Sequence, residues 1–421
     1  MSLPAVIRPA ALLALACIPV CHAHAAPECA AAWNASTAYN GGDVASQNAT
    51  NYRASWWTQG DEPASHNGAP GSGQPWTAVE ACEGDGGDPG NEPPDPIFRN
   101  GFEGIAEGFV FSPYKDVTIN MDWNTNHMRS AVLGSALPLV GSGGLIPQHT
   151  PGLQTVTLAF ATGQCGNENW GGVAGQAFAD ANIPSFVAAG VDYIIATGGA
   201  AGAFTCSDPQ QFEAFIARYA SANLRGIDFD IEGGQTPTQI QSLVAVAAAA
   251  QATHPQLRFS FTLATLAASD GSYGGLNSLG AATVQAIQAS SLENYTINLM
   301  VMDYGATGSG VCVVVDGRCD MGASAIQAAV NLMHSFNVPI DKIELTPMIG
   351  LNDVVSETFT DADVDTVMAY ARDNGLAGVH YWSFDRDTPC ASPTANASPI
   401  CNSVGGTQPL QYTLRFLQHL P

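Results

Sequence analysis

The run Arg225-Gly226-Ile227-Asp228-Phe229-Asp230-Ile231-Glu232-Gly233 alternates acids with apolar residues. A period of two is the signature of a β-strand, so Asp228, Asp230 and Glu232 share one face and Ile227, Phe229 and Ile231 the other. Three carboxylates on one strand face cannot all ionise freely. A strand that tolerates them is suited to holding one acid protonated near neutral pH, as general acid catalysis requires. Arg225 has the opposite parity from Asp228. It could stabilise ionised Asp228 or face away from the acid row.

The elements around this strand imply how it is held. Apolar runs at Phe109–Phe111, Thr155–Phe160, Tyr193–Ala196, Arg225–Ile231, Arg258–Leu263, Ile297–Met302, Lys342–Met348 and Gly378–Trp382 alternate with alanine-rich helical stretches such as Gln210–Ala220, Pro237–Ala252, Ala281–Ala289, Ala323–Phe336 and Asp361–Asn374. Eight strands with helical crossovers predict a (β/α)8 barrel, with Glu232 at the C-terminal end of the fourth strand, where active sites of this fold sit. No glycine-rich phosphate fingerprint follows the first strand, which argues against a doubly wound sheet.

Before this segment the composition breaks. Arg8, the apolar run Ala10–Val20 and Ala23-His24-Ala25 read as a signal peptide over 1–25, so a secreted, extracellular protein is expected. Residues 26–82 form a small aromatic-rich, all-β segment, 83–104 a Gly/Pro/acidic linker, and 105–421 the barrel. Of ten cysteines, Cys17 and Cys21 lie in the signal. Eight remain, an even number that favours disulfides in an exported chain. About a hundred pairings are possible, and proximity suggests Cys29–Cys82, Cys165–Cys206, Cys312–Cys319 and Cys390–Cys401. No cysteine pair has the C-x-x-C spacing of a zinc site, and no metal or cofactor is expected.

A formal net charge of −24, with Lys115 and Lys342 the only lysines, excludes nucleic acid and anionic membrane as natural partners. It suits a soluble exported monomer acting on a neutral or cationic substrate.

The acid strand resembles the D-G-x-D-x-D-x-E signature of glycoside hydrolase family 18, the chitinases. Gly226, Asp228, Asp230 and Glu232 match, while Arg225 stands where the family has an acid. Ala196-Thr197-Gly198-Gly199 resembles the third-strand S-x-G-G, and Met300-Val301-Met302-Asp303-Tyr304 the sixth-strand motif. Trp382 falls at the eighth-strand tryptophan. The resemblance implies a chitinase with substrate assistance: Glu232 protonates the glycosidic oxygen, and the substrate's acetamido group attacks C1. Asp230 orients that group and shares a proton with Asp228. Asp303, Tyr304 and Met300 are candidates to line the N-acetyl site, with Trp382 as its floor. Tunnel-forming relatives insert a small domain between the last two strands. Only about 26 residues separate Leu351 from Gly378, so an open groove and endo cleavage are expected.

Trp33, Tyr39, Tyr52, Trp56, Trp57 and Trp76 crowd the N-terminal segment, and aromatic faces stack on pyranose rings. Ala32-Trp33, Tyr39-x-x-Gly42-Asp43, Tyr52 to Thr58 and Pro75-Trp76 resemble a family 5/12 carbohydrate-binding module. That implies chitin and chitooligosaccharides as partners, held by Trp56, Trp57, Tyr52 and Trp33. Strand parity expects one of Trp56 and Trp57 to be core. Two other functions fit the same residues: a non-catalytic chitin-binding lectin, which would be expected to lack Glu232, and an endo-β-N-acetylglucosaminidase.

Overall fold

The computed structural model describes residues 29–48, 50–68, 74–82, 108–392 and 394–420. The expected signal peptide, the linker and the start of the barrel segment lie outside the described residues. The chain divides into two compact units, within Met1–Phe98 and Arg99–Pro421.

In the first unit, strands Val44–Gln47, Thr50–Ala54 and Trp76–Ala81 form an antiparallel three-stranded sheet, and Ala38–Tyr39 pairs with Thr58–Gln59. Its core is small: Ala45, Tyr52, Ala54 and Trp76, with Trp33 and Tyr39 packed against them. So few apolar residues hold a fold poorly unaided. The Cys29–Cys82 disulfide ties its two ends together.

The second unit is a closed, all-parallel barrel of eight strands in chain order. They are β1 (Val110–Asp116), β2 (Thr155–Ala161), β3 (Asp192–Gly198), β4 (Leu224–Ile231), β5 (Arg258–Ala264), β6 (Tyr295–Met300), β7 (Ile343–Thr346) and β8 (Gly378–Tyr381). The helices that follow them are α1 (Leu145–His149), α2 (Gly175–Ala189), α3 (Pro209–Tyr219), α4 (Pro237–Thr253), α5 (Ser278–Gln288), α6 (Met321–Phe336), α7 (Asp361–Asn374) and α8 (Gln411–Gln418). Their starts are written locally. Thr236 and Gln239 form a capping box with Pro237 in the first turn of α4, and Asp208 and Asp320 cap α3 and α6. Cys165–Cys206, Cys312–Cys319 and Cys390–Cys401 are bonded, as chain proximity suggests.

The main apolar core lies between strands and helices. Ile227, Phe229 and Ile231 point outward into it, and Phe229 meets Phe212 of α3 and Phe259 of β5 at ring distances of 6.1 and 6.2 Å. Burying each such side chain contributes about 1.5–3 kcal/mol, so the β4 register cannot slip without exposing all three. Asp228, Asp230 and Glu232 are thereby turned to the interior and mouth.

That interior is polar, where barrels of this class usually carry Val, Ile and Leu. At its lower end Arg258 pairs with Glu344, which also accepts from Thr296 Oγ1 at 2.9 Å. Arg225 is not part of this interior. Its Nε lies 2.5 Å from Asp192 Oδ2, with the side chain 46% exposed. Of the two roles open to Arg225, the structure therefore selects the outward-facing one.

Candidate active site

Asp228 is buried under three hydroxyl donors: Ser260 Oγ and Thr262 Oγ1 donate to Oδ1 at 2.7 Å each, and Tyr114 Oη to Oδ2 at 2.9 Å. Burial pushes its carboxyl up, while the three hydroxyls pull it back toward ionisation. Asn298 Nδ2 donates to Tyr114 Oη and Thr262 Oγ1, and Thr346 Oγ1 donates to Asn298 Oδ1 at 2.8 Å, so the donors are themselves held. His380 is buried close by; burial pushes its pKa down to about 3, so it is neutral.

Asp230, two residues on, has a different environment. It is 4% exposed, and among the described residues its Oδ1 has no hydrogen-bond partner. Burial first, then the charges of Glu232 and Asp228, push its carboxyl well above the ordinary range. Among the described residues no hydrogen bond joins Asp228 to Asp230; the Asp228 oxygens accept from hydroxyls instead. In place of the expected shared proton there is a through-space effect, in which the charges of Glu232 and Asp228 add to burial in raising the Asp230 carboxyl.

Glu232 stands exposed at the mouth. Its carboxyl is also raised, by desolvation against the neighbouring wall, with a backbone hydrogen bond from Ala200 opposing. The close approach of that backbone depends on Gly198 and Gly199. Gly198 has φ +89, and a Cβ there would lie 2.1 Å from Asp230 O.

Two cavities meet at Glu232. One of about 350 Å³ is lined by Asp230, Tyr114, Phe160, Met348 and Trp382, among others. Trp382 stacks on Phe160 at 5.6 Å with a 21° interplanar angle. The second, about 470 Å³, is lined by Ala264, Thr265, Leu266, Leu276 and Asn277. Met300, Met302 and Asp303 line both. Asp230, Glu232, Asp303, Met300 and Trp382 are thus brought together, with Asp228 directly beneath.

Tyr304 is not. It is 3% exposed, packs in the main core and lines neither cavity; its buried Oη has no hydrogen-bond partner among the described residues. The strand parity that would aim it at the site ends at Met300. Asp303 then takes a left-handed turn, φ +52, and Tyr304 follows it inward.

That turn is held by a residue the sequence does not advertise. Glu357 Oε2 accepts from Tyr304 N at 3.0 Å and its Oε1 from Gly305 N at 3.1 Å. Val354 N donates to Asp303 Oδ1 at 2.8 Å. Burial raises both the Asp303 and Glu357 carboxyls. Tyr114 and Asp116 share parity with Ser112 on β1, a signal that could have marked them. Asp353 and Glu357 lie in an aperiodic loop and carry no such signal.

In the first unit Trp56 and Trp57 are both exposed, 47% and 60%, contrary to the expectation that one would be core. The strand stops at Ala54, so alternation no longer applies to them. Tyr52 is a correction as well: it lies in the core, 8% exposed. Trp33 is half-buried against the same core.

A parallel barrel with protonatable carboxyls at its C-terminal mouth can deliver a proton to a leaving oxygen and later accept one from water. The relatives narrow the class. Residues 32–77 match the profile of carbohydrate-binding module family 5/12. Endochitinase 11 of Metarhizium anisopliae is 28% identical over 305 residues, 67% of this chain and 53% of that protein. A probable bifunctional chitinase/lysozyme of Escherichia coli (strain K12) is 26% identical over 329 residues, 72% of this chain and 33% of that protein. The chain thus spans about half the length of the first and a third of the second. The catalytic domain of a hyperthermophilic chitinase from Pyrococcus furiosus superposes with a TM-score of 0.56 at 24% identity, covering 75% of this chain and 95% of that one. At that identity the likeness is one of fold. The resemblances read from the sequence, to chitinases in the barrel and to a family 5/12 module before it, are both met by these relatives.

Proposed function

We propose that this protein is a chitinase, hydrolysing β-1,4 linkages between N-acetylglucosamine units with retention of configuration. The observation that carries the reading is Glu232 at the barrel mouth, joining two cavities, above an Asp230 whose buried Oδ1 lacks a partner. Glu232 gives its proton to the glycosidic oxygen as the C1–O bond breaks. The substrate's acetamido carbonyl oxygen forms a bond to C1, and the positive charge spreads over an oxazolinium ring. Asp230 holds the acetamido N–H and so aims the nucleophile. Glu232, now a carboxylate, takes a proton from water as the water oxygen attacks C1 and reopens the ring. Two displacements at C1 retain the β configuration.

Trp382 and Phe160 offer an apolar floor to the sugar, and Asp303 and Met300 the wall beside its N-acetyl group. Cavities on both sides of Glu232 support cleavage within a polymer, as does the single helix α7 between β7 and β8. Exposed Trp56 and Trp57 are the gripping surface of a chitin-binding module over 26–82, joined by a linker over 83–104 to a catalytic domain over 105–421. The four disulfides support export.

Hydrolysis of chitooligosaccharides by the wild type and Glu232→Gln, with product anomers followed, tests the reading. Retained β-anomer products from the wild type and their loss in the variant are expected. Equal activity in the variant, or early α-anomers, would overturn it; binding without cleavage by the wild type would make the protein a lectin instead.

A further inference from the structure

One wall of the second cavity is a loop fastened at its far end to a distant helix. Residues 265–277 join β5 to α5 and run as a hairpin. Thr265 pairs with Leu276, Leu266 N donates to Gly275 O at 3.1 Å, and Ala268 N donates to Gly274 O at 3.2 Å. Its base, Thr265, Leu266, Gly275, Leu276 and Asn277, lines the cavity, while its tip lines neither cavity.

The tip is held from α6. Asn331, His334 and Ser335 stand at the i, i+3 and i+4 spacing that puts side chains on one helix face. Buried Asn331 donates through Nδ2 to Ala268 O at 3.0 Å and to Gly274 O at 2.8 Å. Gln327 Nε2 steadies it by donating to Asn331 Oδ1 at 2.7 Å. The His334 ring stacks on Tyr273, with centroids 3.6 Å apart and planes 10° from parallel, and Ser335 Oγ donates to Tyr273 O at 3.1 Å. The loop before α6 adds a second seam. Val311 O accepts from Ala267 N at 2.8 Å, and Cys312 O, in the loop closed by Cys312–Cys319, accepts from Ser269 Oγ at 2.9 Å.

Of these anchors Tyr273 has the least local reason to be there. Its φ is +53, within Gly271-Ser272-Tyr273-Gly274-Gly275, a left-handed conformation that glycine adopts without a Cβ penalty. The tyrosine carries strain that a glycine would not, and its ring is what the position gains in return. In the proposed reaction the first cavity receives the sugar whose C1 is attacked, since Asp230 and Trp382 line it. The second cavity, across Glu232, is left for the sugars on the leaving-group side.

We propose that Tyr273 and Asn331 are positioning residues for the leaving-group side of the cleft: from α6 they set the hairpin whose base meets the departing sugars, and so decide how tightly long chains are held. The inference rests on the chitinase reading. Neither side chain lines a cavity, so each acts through the hairpin rather than on the substrate. A wall set in advance spares the substrate the cost of ordering it on binding.

The test compares chitohexaose, which can fill the second cavity with sugars, with an aryl chitobioside, whose leaving group is one small ring. In the full-length protein Tyr273→Gly should raise KM for chitohexaose roughly two- to tenfold, the worth of one aromatic pair, with kcat unchanged. The aryl chitobioside should keep both constants. Tyr273→Phe, which keeps the ring, should behave as the wild type, and Asn331→Ala should follow Tyr273→Gly. If Asn331→Ala fails to fold, Tyr273→Gly still decides, because glycine suits the left-handed backbone. An unchanged KM for chitohexaose, an equal rise on both substrates, or a Phe variant as impaired as the Gly one overturns the proposal. If the wild type cleaves neither substrate, the chitinase reading falls instead. Calorimetric binding of chitohexaose with and without Tyr273→Gly then decides the positioning separately, in chains that also carry Trp56→Ala and Trp57→Ala so that the first unit adds no binding. Equal affinity overturns it, and weaker binding by the Gly variant upholds it.

Discussion

The barrel and the N-terminal unit use side chains in opposite ways. In the barrel, the acids of β4 gain their properties from enclosure: Asp228 under three hydroxyls, Asp230 without a partner, Glu232 against a wall. In the N-terminal unit, Trp56 and Trp57 are useful because nothing covers them. The difference also tests a way of reading sequence. Alternation along β4 held because β3 and β5 clamp it on both sides, in register from Gly226 to Asp230 and beyond. Alternation past Ala54 failed because no strand continues there. Parity is reliable where neighbours fix the pleat and is no longer enforced beyond the last paired residues. The same lapse beyond Met300 explains why Asp303 reached the site and Tyr304 did not.

The contrast can be broken most sharply at Glu232. Replacing it with Gln should lower kcat on soluble chitooligosaccharides by roughly a hundred- to ten-thousandfold while leaving adsorption to chitin intact, measured by reducing-end release and by depletion from supernatant. Loss of adsorption alongside activity would mean the two regions are not separable in function.

Replacing both Trp56 and Trp57 with Ala should do the reverse. Adsorption to chitin falls by roughly tenfold, the loss of one or two buried aromatic contacts, and turnover of soluble oligomers is unchanged. An undiminished isotherm would remove these residues from the gripping surface.

The pH profile sharpens the account of enclosure. Glu232 must be protonated to donate, and desolvation raises its carboxyl. Activity should therefore persist above the pH where an ordinary glutamic acid has ionised, and fall as pH rises through the raised value. The apparent midpoint belongs to the coupled Asp230–Glu232 pair rather than to one residue. Asp230→Asn leaves Glu232 as the one titrating carboxyl of the pair, so a two-step profile should collapse to a single step; a profile that keeps both steps would contradict the assignment.

Glu357→Gln offers one oxygen where two backbone N–H groups need acceptors. About 1–3 kcal/mol of stability should be lost, read by thermal unfolding. A rise in KM larger than the fall in kcat, together with faster amide exchange at Tyr304 and Gly305, should accompany it. The smallest effect is expected at Arg225, where replacement by Met removes a partly exposed pair with Asp192 worth at most about 1 kcal/mol and leaves the pH profile where it was. A displaced profile would return Arg225 to the acid row.

Much of this was legible in the chain. The acid row, its strand, the eight-strand rhythm, the helix starts at Pro237 and Asp361, and the short-loop pairs Cys312–Cys319 and Cys390–Cys401 follow from local pattern, because periodicity and short loops are local physics. The glycines at 198 and 199 were legible as a motif but not as the reason Ala200 reaches Glu232. What the tertiary structure alone decided is the environment of each acid on that strand. Asp228 and Asp230 are the same residue type two positions apart, and nothing in the sequence says that Ser260, Thr262 and Tyr114 converge on one and leave the other bare. Their contacts span 32 to 114 residues of chain. Charge state inside a protein is set by what closes around a carboxyl, and closure is a property of the assembled barrel rather than of any strand within it.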